Sequence, residues 1–279
     1  MTANVRERWA ADLAAYDFMK QAPLADLAWE FLRRNPAYRS DCEGSQGALE
    51  RLPDRLGIPV FREQQVERNA RRWGLHHTPD PGERADAASP FWALRPAPVS
   101  IAFPVGGRQR SKDLSFLLHE SVRPRLLIAG EGGHYLDLTL NGRLYRLPVQ
   151  SKARALTLTI SDIGRLPEAT ALLSQLAAVL TKQSPTRAQP IACTAERFRL
   201  RLALVALDGM AAHASYREIA AAIYGLKRAN DAWASSSRAL KDQIRRACQR
   251  GKELMAGAYR KLVAGLEVAD EEALPSTLP

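Results

Sequence analysis

Cysteine is scarce in this sequence, and long hydrophobic runs are missing from it. The 279 residues include three cysteines, Cys42, Cys193 and Cys248, which lie far apart and lack a CxxC spacing. That pattern argues against a zinc site or a disulfide framework and fits a reducing compartment. No apolar run approaches the roughly 18 residues needed to span a bilayer, and the N-terminal segment lacks a hydrophobic signal core. We therefore expect a cytoplasmic, nucleoid-associated protein with no membrane partner.

Residue sets that would support catalysis or bind a cofactor are also missing. His76 and His77 are adjacent, but no carboxylate or cysteine follows at a ligand spacing, so a metal site is the weaker interpretation. Asp137 and Asp162 could form an acidic pair for nuclease chemistry, but nothing supplies a third ligand. The sequence therefore predicts no enzymatic activity, no metal and no cofactor.

Acidic residues are fewer than basic ones, and the excess of positive charge is concentrated near the C-terminus. The chain has a formal net charge of +10 and a pI near 9.8, which favours a polyanionic partner. Between residues 191 and 263 there are 14 Lys and Arg against 6 Asp and Glu, a net charge of +8. This distribution predicts that the last quarter of the chain binds nucleic acid.

The N-terminal part of the chain has the apolar spacing of helices. Leu27 and Phe31 recur at helical spacing, so one face of their helix is expected to be buried. Pro36 ends that helix, because the residue before a proline avoids helical geometry. Two more helices are expected, over residues 37–52 and 61–73.

The middle of the chain changes first in composition and then in pattern. Prolines are frequent between residues 76 and 107, which favours an irregular connector held to a domain surface by Phe91 and Trp92. Further on, alternating apolar residues predict short strands, and Asn141-Gly142 is a dipeptide favoured in tight hairpin turns. Residues 125–149 are therefore predicted as a small antiparallel sheet, joined by 156–160 and followed by a helix.

These patterns divide the chain into five predicted segments. The fold class is α+β, mainly helical, with an N-terminal helical domain, a small central antiparallel β-sheet and a C-terminal helix-turn-helix variant. The segments are an N-terminal helical domain at 1–75, a Pro-rich connector at 76–124, a sheet-and-helix unit at 125–181, a DNA-binding domain at 191–263 and an acidic tail at 264–279.

A short alanine-rich helix with clear end signals lies inside the basic segment, at residues 216–225. Ser215 is suited to cap its N-terminus, and Glu218, three residues later, completes a capping box. Gly225 is a good C-terminal stop. Such a helix followed by a turn is typical of the first helix of a helix-turn-helix pair. Nine residues then separate Gly225 from Ser235, a turn longer than the common motif has.

The stretch from 236 to 255 predicts a helix with two unlike faces. At about 100° per residue, one side is an apolar stripe made of Leu240, Ile244, Ala247, Gly251, Leu254 and Met255. The opposite side carries Arg238, Lys241, Asp242, Arg245, Gln249 and Lys252, with Arg246 and Arg250 between the faces. Arg, Lys and Gln side chains pair with base edges and phosphates. A solvated basic helix is the plainer interpretation, but the concentrated charge and the capped helix upstream favour DNA binding.

Two parts of the chain resemble known domains. Residues 29–41, WEFLRRNPAYRSD, resemble the signature of the N-terminal transcriptional-regulator-like domain of proteobacterial mobile elements. Two later segments resemble the RovC-like DNA-binding domain, namely YREIAAAIYG at 216–225 and SSRALKDQIRRACQRGKELMAGAYRKLV at 236–263. The combination is similar to the FseA-like transcriptional regulators of proteobacterial integrative and conjugative elements.

The resemblance implies a transcription activator of excision or transfer genes that binds double-stranded promoter DNA. RNA polymerase and an antiactivator protein are the further partners it implies, and we expect a homo-oligomer. The alternative is an antiactivator that binds another transcription factor, although such proteins are expected to be the short single domain. The predicted DNA-binding residues are Ser215, Arg217, Lys227, Arg228, Ser236, Ser237, Arg238, Lys241, Arg245, Arg246, Gln249, Arg250 and Lys252.

Two further segments leave alternatives open. Arg33 and Arg34, in the N-terminal motif, could bind DNA or could serve structure and partner docking. The acidic residues between Glu267 and Glu272 could be a solubilising end or a polymerase contact.

Overall fold

The computed structural model describes residues 13–43, 49–104, 122–153, 156–180, 195–236 and 238–264. These residues form a mixed α/β structure in which a seven-stranded sheet is accompanied by helices. Ser237, the acidic tail from residue 265 onward and part of the predicted connector (105–121) lie outside the described residues. Within the described part of the chain, no helix combines the length and apolar character that a membrane span requires.

Helices and strands alternate along the first two thirds of the chain, and the elements described from residue 195 onward are helices. The strands are β1 (Glu50–Arg55), β2 (Ile58–Arg62), β3 (Val99–Pro104), β4 (Arg125–Ile128), β5 (His134–Leu140), β6 (Arg143–Ala153) and β7 (Thr157–Ile160). The helices are α1 (Leu24–Leu32), α2 (Pro36–Cys42), α3 (Arg68–Arg72), α4 (Ala85–Ala88), α5 (Leu166–Leu180), α6 (Ala195–Ala211), α7 (Tyr216–Tyr224), α8 (Leu226–Ala234), α9 (Ala239–Glu253) and α10 (Tyr259–Val263). Short 3₁₀ segments lie at Leu13–Lys20 and Ile163–Arg165, and a π turn at Leu254–Ala258 joins α9 to α10.

The first predicted helix is confirmed as α1. Leu27 and Phe31 are fully buried, as their spacing predicted, and α1 ends before Pro36. Pro36 occupies the first turn of α2, where its missing N–H costs nothing. The Asn35 side chain caps that helix by accepting hydrogen bonds from the next backbone N–H groups, the shorter at 2.9 Å.

The helices predicted over 37–52 and 61–73 are largely wrong. α2 ends at Cys42, and the chain then forms the hairpin of β1 and β2 before the five-residue helix α3. Leu56 and Gly57 make the hairpin turn with φ of +57° and +79°. Ile58 and Val60 are buried on alternate positions of β2, a period of two that a short strand shows too briefly to be separated from a helix.

The predicted small antiparallel sheet is larger and mixed. Its strand order is β1-β2-β4-β5-β6-β3-β7, with β2 parallel to β4 and β3 parallel to β6. The hairpin at Asn141-Gly142 is confirmed, with φ of +50° and +78° between β5 and β6, and residues 157–160 form the added strand β7. The Pro-rich connector contributes β3 to the sheet, so that segment is not wholly irregular. Within it, Phe91 and Trp92 are buried, as predicted.

Two apolar cores lie on the sheet and beside it. The first is formed between the sheet and α5, where Leu172 and Leu176 pack with residues such as Leu136 and Leu138 of β5. The second contains α1, Trp73 and Trp92 together with residues of α6 and α10. The alternation of β6 sends Leu144 into the second core and Tyr145 into the first.

The second core joins the N-terminal part of the chain to the C-terminal helices. Trp29 of α1 and Tyr38 of α2 are fully buried in the same cluster as Leu204 of α6 and Tyr259 of α10. Trp29 and Tyr38 meet edge to face, with ring centroids 5.6 Å apart. Packing is therefore continuous between the segments predicted as the N-terminal and DNA-binding domains.

A buried polar cluster connects the sheet to the segment that follows α3. The Arg146 guanidinium donates two hydrogen bonds of 2.7 Å to the Asp137 carboxylate and a third to His76 Nε2. His76 Nδ1 lies 3.2 Å from Glu63 Oε2, which also accepts the Gly130 backbone N–H at 3.0 Å. Burial, reinforced by the neighbouring arginines, lowers the pKa of His76 to about 2, so this imidazole is neutral and bridges the charged groups.

Candidate nucleic-acid interface

The four helices α6 to α9 enclose a small core of their own. It consists of small and aliphatic side chains, namely Leu202, Ala206, Ile219, Ala220, Ala229, Leu240, Ile244, Ala247 and Cys248. Small residues allow the helix backbones to approach closely, and a Cβ on Gly251 of α9 would lie 2.6 Å from the carbonyl oxygen of Ala203 in α6. This contact fixes the side of α9 that faces α6.

The N-terminus of α7 has the predicted capping box. Ser215 Oγ accepts the Glu218 backbone N–H at 3.3 Å, and the Glu218 side chain accepts the Ser215 backbone N–H at 2.7 Å. The Arg217 guanidinium donates to Asn230 Oδ1 on α8 at 2.8 and 3.2 Å. Ser215 and Arg217, both predicted to bind DNA, are thus engaged in contacts within the module.

The predicted nine-residue turn after Gly225 is wrong, because those residues form helix α8. Gly225 has φ of +89° and ψ of 151°, so it ends α7 and begins α8 with no intervening loop. Ala229 is fully buried on the inner side of α8 and Trp233 is half-buried. The link that precedes α9 is the four-residue stretch 235–238.

Two serines that precede α9, Ser235 and Ser236, do not cap it. Ser235 belongs to the end of α8, where its backbone N–H donates to Asp231 and its hydroxyl to Ala232. Ser236 is exposed, and Arg238 occupies the N-cap position of α9 without a side-chain capping bond.

The two predicted faces of α9 are present. Leu240, Ile244 and Gly251 are buried, and they form the side that packs on α6 and α7. Five predicted DNA-binding residues of this helix are exposed, namely Arg238, Arg245, Arg246, Gln249 and Lys252. Lys241 is half-buried at the boundary, with its ammonium 5.8 Å from the centroid of the Trp233 ring.

Contacts along the exposed face hold its side chains without burying them. Arg245 Nη2 lies 3.6 Å from Asp242 Oδ1, and the Arg245 side chain remains 69% exposed. Gln249 Nε2 donates to Glu253 Oε1 at 2.7 Å. An exposed pair of this kind is worth at most about 1 kcal/mol, so a ligand can displace it at little cost.

Arg250 lies on the buried side of α9 and not on its exposed face. Its guanidinium pairs with the Glu196 carboxylate of α6, and the residue is 8% exposed. The sequence places Arg250 between the two faces of the helix and does not show which way its side chain points. In the structure, the Glu196 carboxylate draws the side chain to the buried side. Arg250 therefore has a structural role.

The remaining predicted residues lie at the start of α8. Lys227 and Arg228 are exposed in its first turn, and the Arg228 guanidinium lies 5.0 Å from the centroid of the Tyr224 ring. Burial raises the pKa of Tyr224, which keeps that phenol neutral beneath the guanidinium. Leu226, next to them, is 69% exposed, an apolar side chain that sequence reasoning did not single out.

The arginines of the N-terminal motif are used inside the structure. Arg34 donates to both oxygens of the Asp208 carboxylate on α6, at 2.5 and 2.9 Å, and to Glu30. Burial opposes the charge of Arg34, but its bonds to Asp208 and Glu30 hold its pKa above the ordinary value. Arg33 also pairs with Glu30, at 2.7 Å. Of the two roles left open for these arginines, the contacts fit the structural one.

Asn35 is a residue whose second role the sequence did not indicate. While its side-chain oxygen caps α2, its Nδ2 donates to the Met255 carbonyl in the π turn at 2.9 Å. A π turn leaves backbone groups out of the regular helical pattern. Asn35 therefore satisfies a backbone group at the junction between α9 and α10.

In the part of the chain that the structure describes, no three His, Cys, Asp or Glu side chains come together in a way that could hold a metal ion. His76 bonds to Glu63 and Arg146, and burial lowers the pKa of His77 to about 4. Asp137 is paired with Arg146, while Asp162 accepts the Gly164 backbone N–H. His76, Asp137 and Asp162 thus make structural contacts.

Comparison with family models gives two matches. Residues 146–264 match the RovC DNA-binding domain family, described as a T6SS transcription factor DNA-binding domain. Residues 8–78 match the family described as a proteobacterial transcriptional regulator-like domain. The first match includes the whole of α6 to α10, and neither description names an enzyme. Among curated proteins no match was found. Together the two domain matches indicate that this chain is a DNA-binding transcriptional regulator.

Proposed function

We propose that this chain is a sequence-specific transcription activator whose helix α9 enters the major groove of double-stranded DNA. The observation that carries the proposal is the one-sided exposure of Arg238, Arg245 and Gln249 on a helix whose other side is fixed by a core. The major groove accommodates an α-helix, and arginine and glutamine are the side chains that recognise guanine and adenine there. The core behind α9 matters because base contacts require a defined orientation of the helix.

Helices α8 and α9 are the proposed helix-turn-helix pair. Four residues separate them, a connection of the length that such pairs use. In this arrangement α8 lies against the outside of the groove, and Lys227 and Arg228 contact phosphates. The proposed set is Lys227, Arg228, Ser236, Arg238, Lys241, Arg245, Arg246, Gln249 and Lys252, whereas Ser215, Arg217 and Arg250 stay in their intramolecular contacts.

The biological role is proposed from the resemblance of the two domains. On that basis the chain activates excision or transfer genes of an integrative and conjugative element. RNA polymerase and an antiactivator protein are the proposed partners, and the active form is a homo-oligomer. The net charge of +10 supports a polyanionic target.

Fluorescence anisotropy with a selected duplex tests the proposal. The full-length chain first enriches a sequence from a random-sequence duplex library, and its affinity for that duplex is then measured. Arg238→Ala with Arg245→Ala should weaken binding at least about thirtyfold, since each specific arginine contact contributes about 1–3 kcal/mol. Arg51→Ala with Arg95→Ala removes the same charge from exposed positions elsewhere and is the matched control. Circular dichroism should show the fold retained in both variants.

The same measurement distinguishes DNA recognition by α9 from the alternative function. If the chain enriches no duplex sequence, or if the α9 variant binds as tightly as the control, α9 does not recognise DNA. An interaction protein that binds another transcription factor would behave in that way.

A further inference from the structure

We propose that a second basic surface, formed by α3 and α10, binds the phosphate backbone of the same DNA beyond the segment that α9 contacts. This α3–α10 surface consists of Arg68, Arg72, Arg260 and Lys261, all exposed. It rests on the proposed function, because it extends the footprint of a duplex bound at α9.

Two hydrogen bonds fix α10 against the end of α3. Arg260 Nη2 donates to the Arg72 carbonyl at 2.7 Å, and Tyr259 Oη donates to the Trp73 carbonyl at 2.9 Å. The last carbonyls of a helix lack partners within it, so these bonds stabilise the C-terminus of α3. As a result, Arg72 and Arg260, which are far apart in the sequence, lie next to each other.

Two guanidinium groups of this surface are held on aromatic rings and stay exposed. Arg72 stacks 5.0 Å from the centroid of the Trp73 ring, and Arg260 lies 5.1 Å from that of Tyr259. The Arg72 side chain is still 65% exposed, although Asp41 lies 3.3 Å from it. Arginines held on aromatic rings lose little further conformational freedom when they bind an anion.

The charge of Arg68 does not stabilise α3, because this residue begins the helix, where a positive charge is unfavourable. Arg68 and Arg72 stand four residues apart on one helical face, an arrangement of like charges that disfavours the helix by about 0.2–0.5 kcal/mol. Arg71, between them, turns inward to the buried Glu63 carboxylate. For Arg68 and Lys261, no hydrogen bond or ion pair occurs within the described ranges, so their charges are available to a partner.

The position of the surface fits a duplex that also contacts α9. Lys252, near the end of α9, and Arg260 are eight residues apart along a path that turns at Gly257 in the π turn, so the reach of the chain limits their separation to less than about 29 Å. Duplex DNA carries one phosphate charge per about 1.7 Å of its length, so a duplex offers several phosphates over that distance. The partner chemistry is therefore the sugar–phosphate backbone, contacted without regard to base sequence.

A comparison of two duplex lengths tests this surface in the full-length chain. Both duplexes contain the sequence that the wild-type chain enriches; the short one ends there, and the long one adds about one helical turn, about 10 base pairs, on each side. The variant combines Arg68→Gln, Arg72→Gln and Lys261→Gln, and it keeps Arg260 because that side chain supports α3. The control combines Arg51→Gln, Arg95→Gln and Arg123→Gln, which removes the same charge from exposed positions elsewhere.

The α3–α10 variant should lose at least about tenfold in affinity for the long duplex and little for the short one. Its salt dependence on the long duplex should fall by about 2–3 in the slope of log K against log salt, since each phosphate contact contributes about 0.9. A second variant combines Arg68→Gln with Lys261→Gln and removes no described bond. It should show a smaller loss of affinity for the long duplex, a result that a folding defect would not explain.

Two results would overturn the inference. One is an unchanged affinity of the variant for the long duplex. The other is an equal loss in the variant and the control on both duplexes, which would reflect net charge alone. A wild-type chain that binds both duplexes equally would also contradict the inference, because the added segment would then make no contact. If the wild-type chain binds neither duplex, the proposed function itself fails.

Discussion

At the scale of single residues, the surroundings of a side chain matter more than its type. Arg246 and Arg250 stand one helical turn apart on α9, and both lie between its two predicted faces. Among the described residues, Arg250 meets a carboxylate, that of Glu196 on α6, and is buried there, whereas Arg246 stays exposed. Helix periodicity could not separate the two, because the position of Glu196 depends on how α6 packs.

Alanine substitutions of these two arginines should therefore have opposite consequences. Arg250→Ala removes a charge-assisted hydrogen bond from the largely buried pair with Glu196, which keeps the longer contact with Arg199 at 3.7 Å, and should lower the free energy of unfolding by about 2 kcal/mol. Arg246→Ala should change it by less than about 0.5 kcal/mol, as exposed positions do, and should weaken DNA binding instead. Urea unfolding and anisotropy on both variants measure this. Equal effects of the two substitutions on stability would show that the burial of Arg250 is unimportant.

At the scale of elements, structural features that depend on neighbouring residues could be predicted from the sequence. Features that depend on residues far apart in the chain could not. The capping box at Ser215 and the hairpin at Asn141-Gly142 depend on neighbouring residues, and both are confirmed. The sequence predicts a turn in place of α8 because Gly225 is a strong stop signal and LKRANDAWA has only two large apolar residues, Leu226 and Trp233. The parallel pairings of β2 with β4 and of β3 with β6 join strands distant in sequence, which alternation alone does not indicate.

The direct junction of α7 and α8 depends on the backbone of Gly225. Its φ of +89° is costly for any residue with a Cβ, although no heavy atom lies within 4 Å of the position a Cβ would take. Gly225→Ala should thus destabilise the protein by about 1 kcal/mol or more through backbone strain and not through a clash. Thermal unfolding followed by circular dichroism measures it. Unchanged stability would mean that this junction adopts another conformation in solution.

At the scale of the whole molecule, the N-terminal part and the C-terminal helices form one packed structure. Tyr16 Oη donates to Asp208 at 2.7 Å, and Arg197 of α6 donates to the carbonyls of Met19 and Ala22. The sequence motifs indicated two separable segments, since each has its own pattern. Their shared core arises from tertiary contacts that neither pattern contains.

The polar cluster around His76 predicts how the stability of the whole chain depends on pH. The pKa of His76 is lowered to about 2 in the native state by burial and by Arg146 and Arg71, whereas an unfolded histidine titrates near about 6.5. Its contribution to stability is thus fully present above about pH 6.5 and is lost as the pH falls below that value, because the unfolded state then binds the extra proton. The loss is about 1.4 kcal/mol per pH unit for this residue.

Urea unfolding between pH 7 and pH 4.5 measures that dependence. His76→Gln can keep one donor and one acceptor and should remove about half of the pH dependence, because His77, whose pKa is lowered to about 4, keeps its own share; His134→Gln, at an exposed position of β5, is the matched control. A wild-type chain whose stability does not decrease over this range would contradict the assignment of a buried neutral imidazole.

The most direct measurement of the central claim is a repeat of the duplex selection with a variant of α9. The 69% exposed side chain of Arg245 is proposed to contact a base edge. With Arg245→Ala, the enriched sequence should lose its preference at one or two adjacent base pairs and keep it elsewhere. An unchanged preference at every position, with a uniformly weaker affinity, would contradict the claim that α9 recognises bases.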